Sequence, residues 1–419
     1  TNPFFLGPLY PYLLALVRLF AGSGIPAVLT VQACFGSLAA VLLAGAARRF
    51  MRPSVAIGVG VVAALYQMSV FFDGLILMES PMYVLEAALL WQIARAANVR
   101  RGRVSFALMG LTVGLIAECR GTGAILLALP LVAALWIADD TPARATNDAA
   151  ARATRTAAAR APVPVVGRSG RVLAIALGLA LAILPSLSWN YSKTHEWIPI
   201  SYNFGYNLYV GNNPAANGGF VWTSGTQGLG GTEALRPDGG AELDGREYLN
   251  KTRGLTLSPA QSSRYWASEA LEFVRRQPAR ALRLTGRKLL MLWNWREYAQ
   301  IDNADEFRLL AGPLGLPLIG TFLFVGALGL AGLLLAGPYG LMGLTLRLYA
   351  LLLTAATMPF FVTDRYRVHL VPALLLLAGV SANELISRWR AGALLPLRVF
   401  FAASALSAVV VLLPAPHLA

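Results

Sequence analysis

The chain has 419 residues, 56% of them hydrophobic and only 13% charged, with a mean hydropathy of +0.58. This excludes an ordinary soluble domain and points to a polytopic membrane protein. The formal net charge of +14 would suggest nucleic acid in a soluble chain, but no basic stripe lies in a soluble module, so the arginines are read as orienting loops that meet anionic membrane lipids.

In chain order, "NPFFLGPLYPYLLALVRLF" places Pro3, Pro8 and Pro11 among aromatic residues, and the run after Pro11 is too short to span alone. A re-entrant or interfacial helix is expected there. No charged segment precedes an apolar stretch, so no signal peptide is expected. Apolar runs then predict spanning helices near 26–47, 54–71, 78–97, 104–118, 120–137, 171–189, 313–336, 341–361, 367–388 and 395–413. The run from Val104 to Ile137 is divided at "ECRGTG", where Arg120, Gly121 and Gly123 weaken a continuous helix. The expected fold is all-α: a transmembrane helical bundle of about ten spans with a non-cytoplasmic loop and helix domain.

Charge supports the division. Arg48, Arg49 and Arg52 form one basic loop, and Arg95, Arg100, Arg101 and Arg103 a second. The segment ending at Arg171 is a third, and Arg388, Arg390 and Arg398 are a fourth. All four fall on one side, called cytoplasmic, only if 104–137 crosses twice. The other side then receives residues 1–24, 73–79, 118–120, 190–312 and 363–369. The organisation expected is a membrane module over 1–189 with a low-complexity cytoplasmic linker at 139–170, a periplasmic domain over 190–312, and a membrane module over 313–419. Within 190–312 the first half reads as loop. In the second half, Ser258 caps a helix that opens at Pro259. Pro278 opens another, with Arg280, Arg283, Arg287 and Lys288 near one face and leucines on another, which suits a helix on a membrane surface or one packed on its own domain.

The candidate chemistry lies on the outer side. Asp73 and Glu79 sit in the connection "FFDGLILMES", where a carboxylate can serve as general base or hold a metal or a sugar hydroxyl; an ordinary solvated loop acid is the alternative. Glu118 and Arg120 flank the break in 104–137, as cavity lining or as a structural ion pair. "TDRYRVHLVP" places Arg365, Tyr366 and Arg367 at the outer end of a span, where arginine is disfavoured unless it has a task. Two guanidiniums flanking an aromatic suit a lipid-linked phosphate, with headgroup snorkelling as the alternative. "NFGYNLYVGNNPAANGG" offers Asn203, Tyr206, Asn207, Asn212 and Asn213, and amides beside aromatic faces suit a sugar. By residue type alone, a turn-rich loop that caps its own backbone explains them as well. Glu79, His195 and His369 are the candidates for a divalent metal, although the histidines are too scattered for a zinc motif. Cys34 and Cys119 sit in apolar runs without CxxC spacing. P-loop, dinucleotide and nucleophile-elbow motifs are absent from the sequence.

"LPSLSWNYSKTHEWIPISYNFGYNLYVGNNPAANGG" resembles a junction in bacterial membrane glycosyltransferases of the GT-C superfamily, similar to the protein-mannosyltransferases (glycosyltransferase family 39) and the lipid A aminoarabinose transferases. "GPLYPYLLAL", "LMESPMYVL", "AECRGTG" and "RYRVHLVPALLLLAG" resemble further segments of that family in the same order, with Glu79, Arg120, Arg365, Arg367 and Pro372 at the matching positions. Where the family has an arginine before Asn190, this chain has Trp189. The resemblance implies a bacterial inner-membrane enzyme that takes a sugar from a polyprenyl-phosphate donor on the periplasmic side. The acceptor would be a lipid, glycan or protein hydroxyl. It also implies a catalytic Asp after a first spanning helix, at a position upstream of Thr1. In this sequence Asp73 and Glu79 are the candidates to take that role, and Arg365 and Arg367, with Lys288, would meet the departing phosphate. A transporter or flippase of a lipid-linked sugar, or a non-catalytic subunit of a membrane assembly, is the alternative.

Overall fold

The computed structural model describes residues 3–22, 24–97, 102–137, 167–220, 244–304, 306, 320–392 and 404–413. The expected linker lies almost wholly outside these residues. Among them the only β-pairing is an isolated parallel bridge between Gly219 and Val362, and the remaining architecture is helical.

The N-terminal module comprises α1 (Leu9–Phe20), α2 (Ile25–Ala47), α3 (Pro53–Ala64), α4 (Gln67–Asp73), α5 (Glu79–Ala96), α6 (Arg103–Cys119), α7 (Ala128–Trp136) and α8 (Arg168–Thr194). Prolines at the first turns of α2 and α3 set the starts of those helices, since their missing N–H groups have no intrahelical partner there. The expected break at Arg120 is present. Arg120 is extended, and a 3₁₀ turn over Gly121–Leu127 separates α6 from α7. Next come α9 (Phe204–Gly211), α10 (Arg246–Arg253), α11 (Pro259–Arg276) and α12 (Pro278–Trp293). The C-terminal module holds α13 (Phe322–Leu335), α14 (Gly340–Thr357), the short α15 (Asp364–Arg367) and α16 (Val371–Arg390), followed by a helical segment at 404–412.

Four helical segments are long and apolar enough to cross a membrane: Ile25–Ala47, Arg168–Thr194, Gly337–Thr357 and Asp364–Arg390. The pair Pro53–Ala64 and Gln67–Asp73, bent by 48°, makes a fifth if it is one span. The expected count of about ten is not reached among the described residues. The physical reasons differ by segment. Helix α5 carries Glu79, Glu86 and Arg95, so its apolar window is interrupted. Helices α6, α7 and α13 have 17, 9 and 14 residues, shorter than a bilayer crossing. The run at 395–413 is described only from residue 404. The chain is a multi-pass membrane protein by these apolar helices.

Small residues let the membrane helices approach closely, which is where packing rather than the hydrophobic effect holds helices together in lipid. Helix α6 packs along α8 through Gly110, Gly114 and Gly178. A Cβ on Gly178 would lie 1.9 Å from the Ala107 carbonyl oxygen, and one on Gly110 would lie 2.0 Å from that of Ile175. Helices α13 and α16 meet in the same way, with a Cβ on Gly332 falling 2.0 Å from the Leu377 oxygen. Gly178→Leu is therefore expected to force α6 and α8 apart and to cost about 1–3 kcal/mol, read as a lowered melting temperature of the detergent-solubilised protein. A melt unchanged from wild type would contradict this crossing.

Helices α9 and α11 are held together by aromatic packing. Trp266 of α11 meets Tyr206 and Tyr209 of α9 at ring distances of 5.7 and 4.8 Å, and its indole N–H donates to the Asp244 carbonyl at 3.1 Å. Helix α11 begins at the expected capping box: Gln261 N donates to Ser258 Oγ at 3.2 Å, and Ser258 N donates to Gln261 Oε1 at 2.8 Å. Gly205 lets α9 sit on α11, since a Cβ there would be 1.7 Å from the Ser263 oxygen.

Candidate functional site

A cavity of about 490 Å³ lies at the junction of the modules. It draws its wall from all five segments that charge asymmetry assigns to the outer side: Phe5–Gly7, Met78, Cys119–Thr122, Pro199–Asn207 in part, and Arg365 with Tyr366. Phe220, Gln300, Ile301 and Phe360 complete it.

The charged wall is built from three breaks in helical structure. Arg120 occupies the extended residue between α6 and the 3₁₀ turn, and Arg365 sits in the first turn of α15. Glu79 opens α5. One oxygen of Glu79, Oε1, accepts from Arg120 Nη2 at 2.9 Å and from Arg365 Nε at 2.7 Å. Glu79 is 1% exposed, whereas both guanidiniums are 11% exposed and line the cavity. The carboxylate thus stands behind the two arginines and fixes them side by side. Two guanidiniums against one carboxylate leave one formal positive charge directed at the cavity. The Arg120 guanidinium also lies over the Tyr366 ring at 4.3 Å, a cation–π contact that further fixes it.

Another part of the lining is polar and aromatic. Asn203, Tyr206 and Asn207 form it, together with Ser201 and Phe204. Asn190 holds this wall in place. Fully buried, its Oδ1 accepts from Phe4 N at 2.9 Å, and its Nδ2 donates to the carbonyls of Ile198 and Ile200 at 2.9 and 3.0 Å. The N-terminal segment and the 198–201 loop are thereby tied to the end of α8. Gly7 completes the tie, since a Cβ there would lie 2.2 Å from the Glu118 oxygen.

Other candidates lie elsewhere. Arg367 is 2% exposed and turned away from the cavity: it pairs with Glu297, donates to the Asn294 carbonyl and lies 4.1 Å over the Phe322 ring. Lys288 is not with the arginines of α12 but on its buried face, where Nζ donates to Asn212 Oδ1 and the Met358 carbonyl, both at 3.1 Å. Asn212 and Asn213 fold their own loop: Nδ2 of Asn212 donates to Leu208 and Pro359 carbonyls, and Nδ2 of Asn213 to Tyr209 and Val210 carbonyls. Asp73 Oδ1 accepts from Ser80 Oγ at 2.5 Å and is not part of the cavity wall. Glu118 accepts from Ser186 Oγ at 2.5 Å between α6 and α8, away from Arg120. His369 is buried with Nδ1 3.1 Å from Glu86 Oε2, and His195 is exposed in a left-handed conformation at the end of α8. The structure does not bring Glu79, His195 and His369 together, and among the described residues no group of three or more His, Cys, Asp or Glu is placed to hold a metal. Ser201, Thr122 and Gln300 were not singled out from the sequence; isolated polar residues in short turns carry no pattern that would mark them.

Burial pushes the Lys288 ammonium down to about 7 from 10.5. Between those values the folded chain binds fewer protons than the unfolded chain. Stability therefore rises with pH from about 7 towards 10.5, and below 7 the full cost of the buried charge is present. A slope of about 1.4 kcal/mol per pH unit is expected in that window. Lys288→Met should flatten it in chemical denaturation of the solubilised protein; an equal slope in both proteins would contradict the assignment.

Fold and cavity together define an all-helical membrane protein with a guanidinium-walled pocket. No protein-family model matches the chain, and no curated protein matches it. Among solved structures it is similar to the Archaeoglobus fulgidus oligosaccharyltransferase in complex with Zn and sulfate, at 14% identity and a TM-score of 0.45, over 99% of this chain and 45% of that one. It is also similar to the archaeal oligosaccharyltransferase AglB from the same organism in complex with an inhibitory peptide and a dolichol-phosphate, at 13% identity and a TM-score of 0.43, over 100% of this chain and 50% of that one. The chain spans about half the length of these proteins. Both scores lie below 0.5, so the functional reading rests on this chain's own geometry.

Proposed function

We propose that the protein is a GT-C type glycosyltransferase of the bacterial inner membrane. It would take a sugar from a polyprenyl-phosphate donor on the periplasmic side and pass it, with inversion, to an acceptor hydroxyl. The observation that carries this reading is the pair Arg120 and Arg365, fixed by one buried carboxylate, lining the same cavity as Asn203, Tyr206 and Asn207. Paired guanidiniums match phosphate oxygens, and amides with aromatic faces match a pyranose.

In the proposed reaction the acceptor hydroxyl gives its proton to a carboxylate. Its oxygen then attacks the anomeric carbon, and the carbon–oxygen bond to phosphate breaks with its electron pair leaving on the lipid phosphate. Arg120 and Arg365 meet that developing charge without reorganising. Glu79 is assigned to positioning both arginines. Asp73, bonded to Ser80 and outside the cavity wall, is assigned no step in this reaction, and Asp73→Asn is expected to leave transfer unchanged. Arg367 and Lys288, which do not line the cavity, are assigned no step in the reaction.

Reconstituted protein supplied with a panel of radiolabelled polyprenyl-phosphate sugars and candidate acceptors tests the proposal. It predicts label moving to one acceptor class, with polyprenyl phosphate released. Movement of intact lipid-linked sugar across the vesicle without transfer would favour a carrier instead.

A further inference from the structure

Among the described residues, helix α12 has a face that neither the cavity nor the bundle uses. Ala281, Leu284, Lys288, Met291 and Leu292 are buried, but Leu282, Leu289 and Leu290 are exposed, Leu282 by 74%. At 100° per residue these three leucines form one stripe, with Gly286 between them. Arg283 lies along its edge, and Arg280 is further round the same side. An exposed apolar stripe bordered by arginines is the pattern of a helix seated in a bilayer interface.

The anchoring of α12 puts it at the right level. The Lys288 ammonium reaches the Met358 carbonyl, at the C-terminal end of α14. Just past the helix, Asn294 Nδ2 donates to the Val411 and Leu413 carbonyls at 3.3 and 2.6 Å, and Trp295 N donates to Val411 at 3.0 Å. Helix α12 therefore lies against the ends of two apolar helical segments, where a bilayer surface would begin. Charge selects the partner. From Leu271 to Trp293, leaving aside the buried Lys288 and the Arg276–Glu272 pair, the chain carries Arg275, Arg280, Arg283 and Arg287 and no further acid.

We propose that α12 docks its leucine stripe into the leaflet beside the bundle, with Arg280 and Arg283 bound to anionic lipid headgroups. This is separate from the cavity, because none of these side chains lines it.

The test uses the full chain in lipid nanodiscs. Cys34 is exposed and is replaced by Ser, and Cys119 is buried. An environment-sensitive fluorophore is placed at Leu282→Cys or Leu289→Cys, with the exposed Lys251→Cys as the aqueous reference. Brominated acyl chains are expected to quench the probe at 282 and 289 but not at 251. Raising the fraction of phosphatidylglycerol should shift the emission to the blue. The double variant Arg280→Gln/Arg283→Gln should weaken that dependence on lipid charge by roughly tenfold. Absence of quenching at both leucine positions overturns the docking. Quenching that ignores lipid charge overturns the headgroup assignment.

Discussion

Arg365→Ala is expected to lower sugar transfer by about 10²–10³-fold or more while leaving the fold intact. The side chain lines the cavity and donates to Glu79, but Glu79 keeps its bond to Arg120 when Arg365 is removed, so no carboxylate is left buried alone. The comparison that gives this result meaning is Arg367→Ala. Arg367 is not among the residues lining the cavity, and its loss strands the buried carboxylate of Glu297. That variant is expected to lose about 3–5 kcal/mol of stability and to fail by unfolding. Thermal melts beside transfer assays separate the two. An Arg365→Ala protein that folds and transfers at the wild-type rate would remove the proposed phosphate site.

Glu79→Ala should damage both stability and function. Without the carboxylate, two guanidiniums that are 11% exposed lose the one oxygen to which both donate. The loss is expected to be about 3–5 kcal/mol, and the arginines should splay from the cavity. Glu79→Gln keeps a carbonyl oxygen that can accept from one arginine but supplies no charge, so it should be milder in stability and still defective in donor binding. Melting curves and donor titration of both variants check this. Wild-type donor affinity in Glu79→Gln would show that Glu79 does not position the pair.

Much of the site was legible because membranes penalise charge so strongly. Arginines on the outer side, where orientation gives them no task, marked Arg120 and Arg365, and the cavity is made from the outer-side segments that charge asymmetry separated. The break at Arg120 was legible from Arg and Gly within an apolar run. The direction of individual side chains was not. The pattern of "RYR" suggests that Arg365 and Arg367 form a phosphate pair, yet residues two apart on a helix do not face each other, and in α15 Arg365 meets Glu79 while Arg367 meets Glu297. Lys288 was grouped with the α12 arginines, although it lies about 140° around the helix from Arg283 and is buried. The amides divided in the same way. Asn203 and Asn207 face the cavity, whereas Asn212 and Asn213 satisfy their own loop, a distinction that depends on how α9 sits against α11 and the 359–362 segment. Four or five candidate spans are found among the described residues against about ten expected, because α5 to α7 are apolar in composition but short or charged, and a hydropathy run does not record where a helix breaks.

The central claim is that the guanidinium pair recognises a lipid-borne phosphate. Binding of a short polyprenyl phosphate to the reconstituted protein, measured against the matching polyprenol without phosphate, tests this most directly. Binding of the phosphate alone, lost in Arg120→Gln/Arg365→Gln, is the result predicted. Equal binding of the two lipids, or full retention in the double variant, would contradict it.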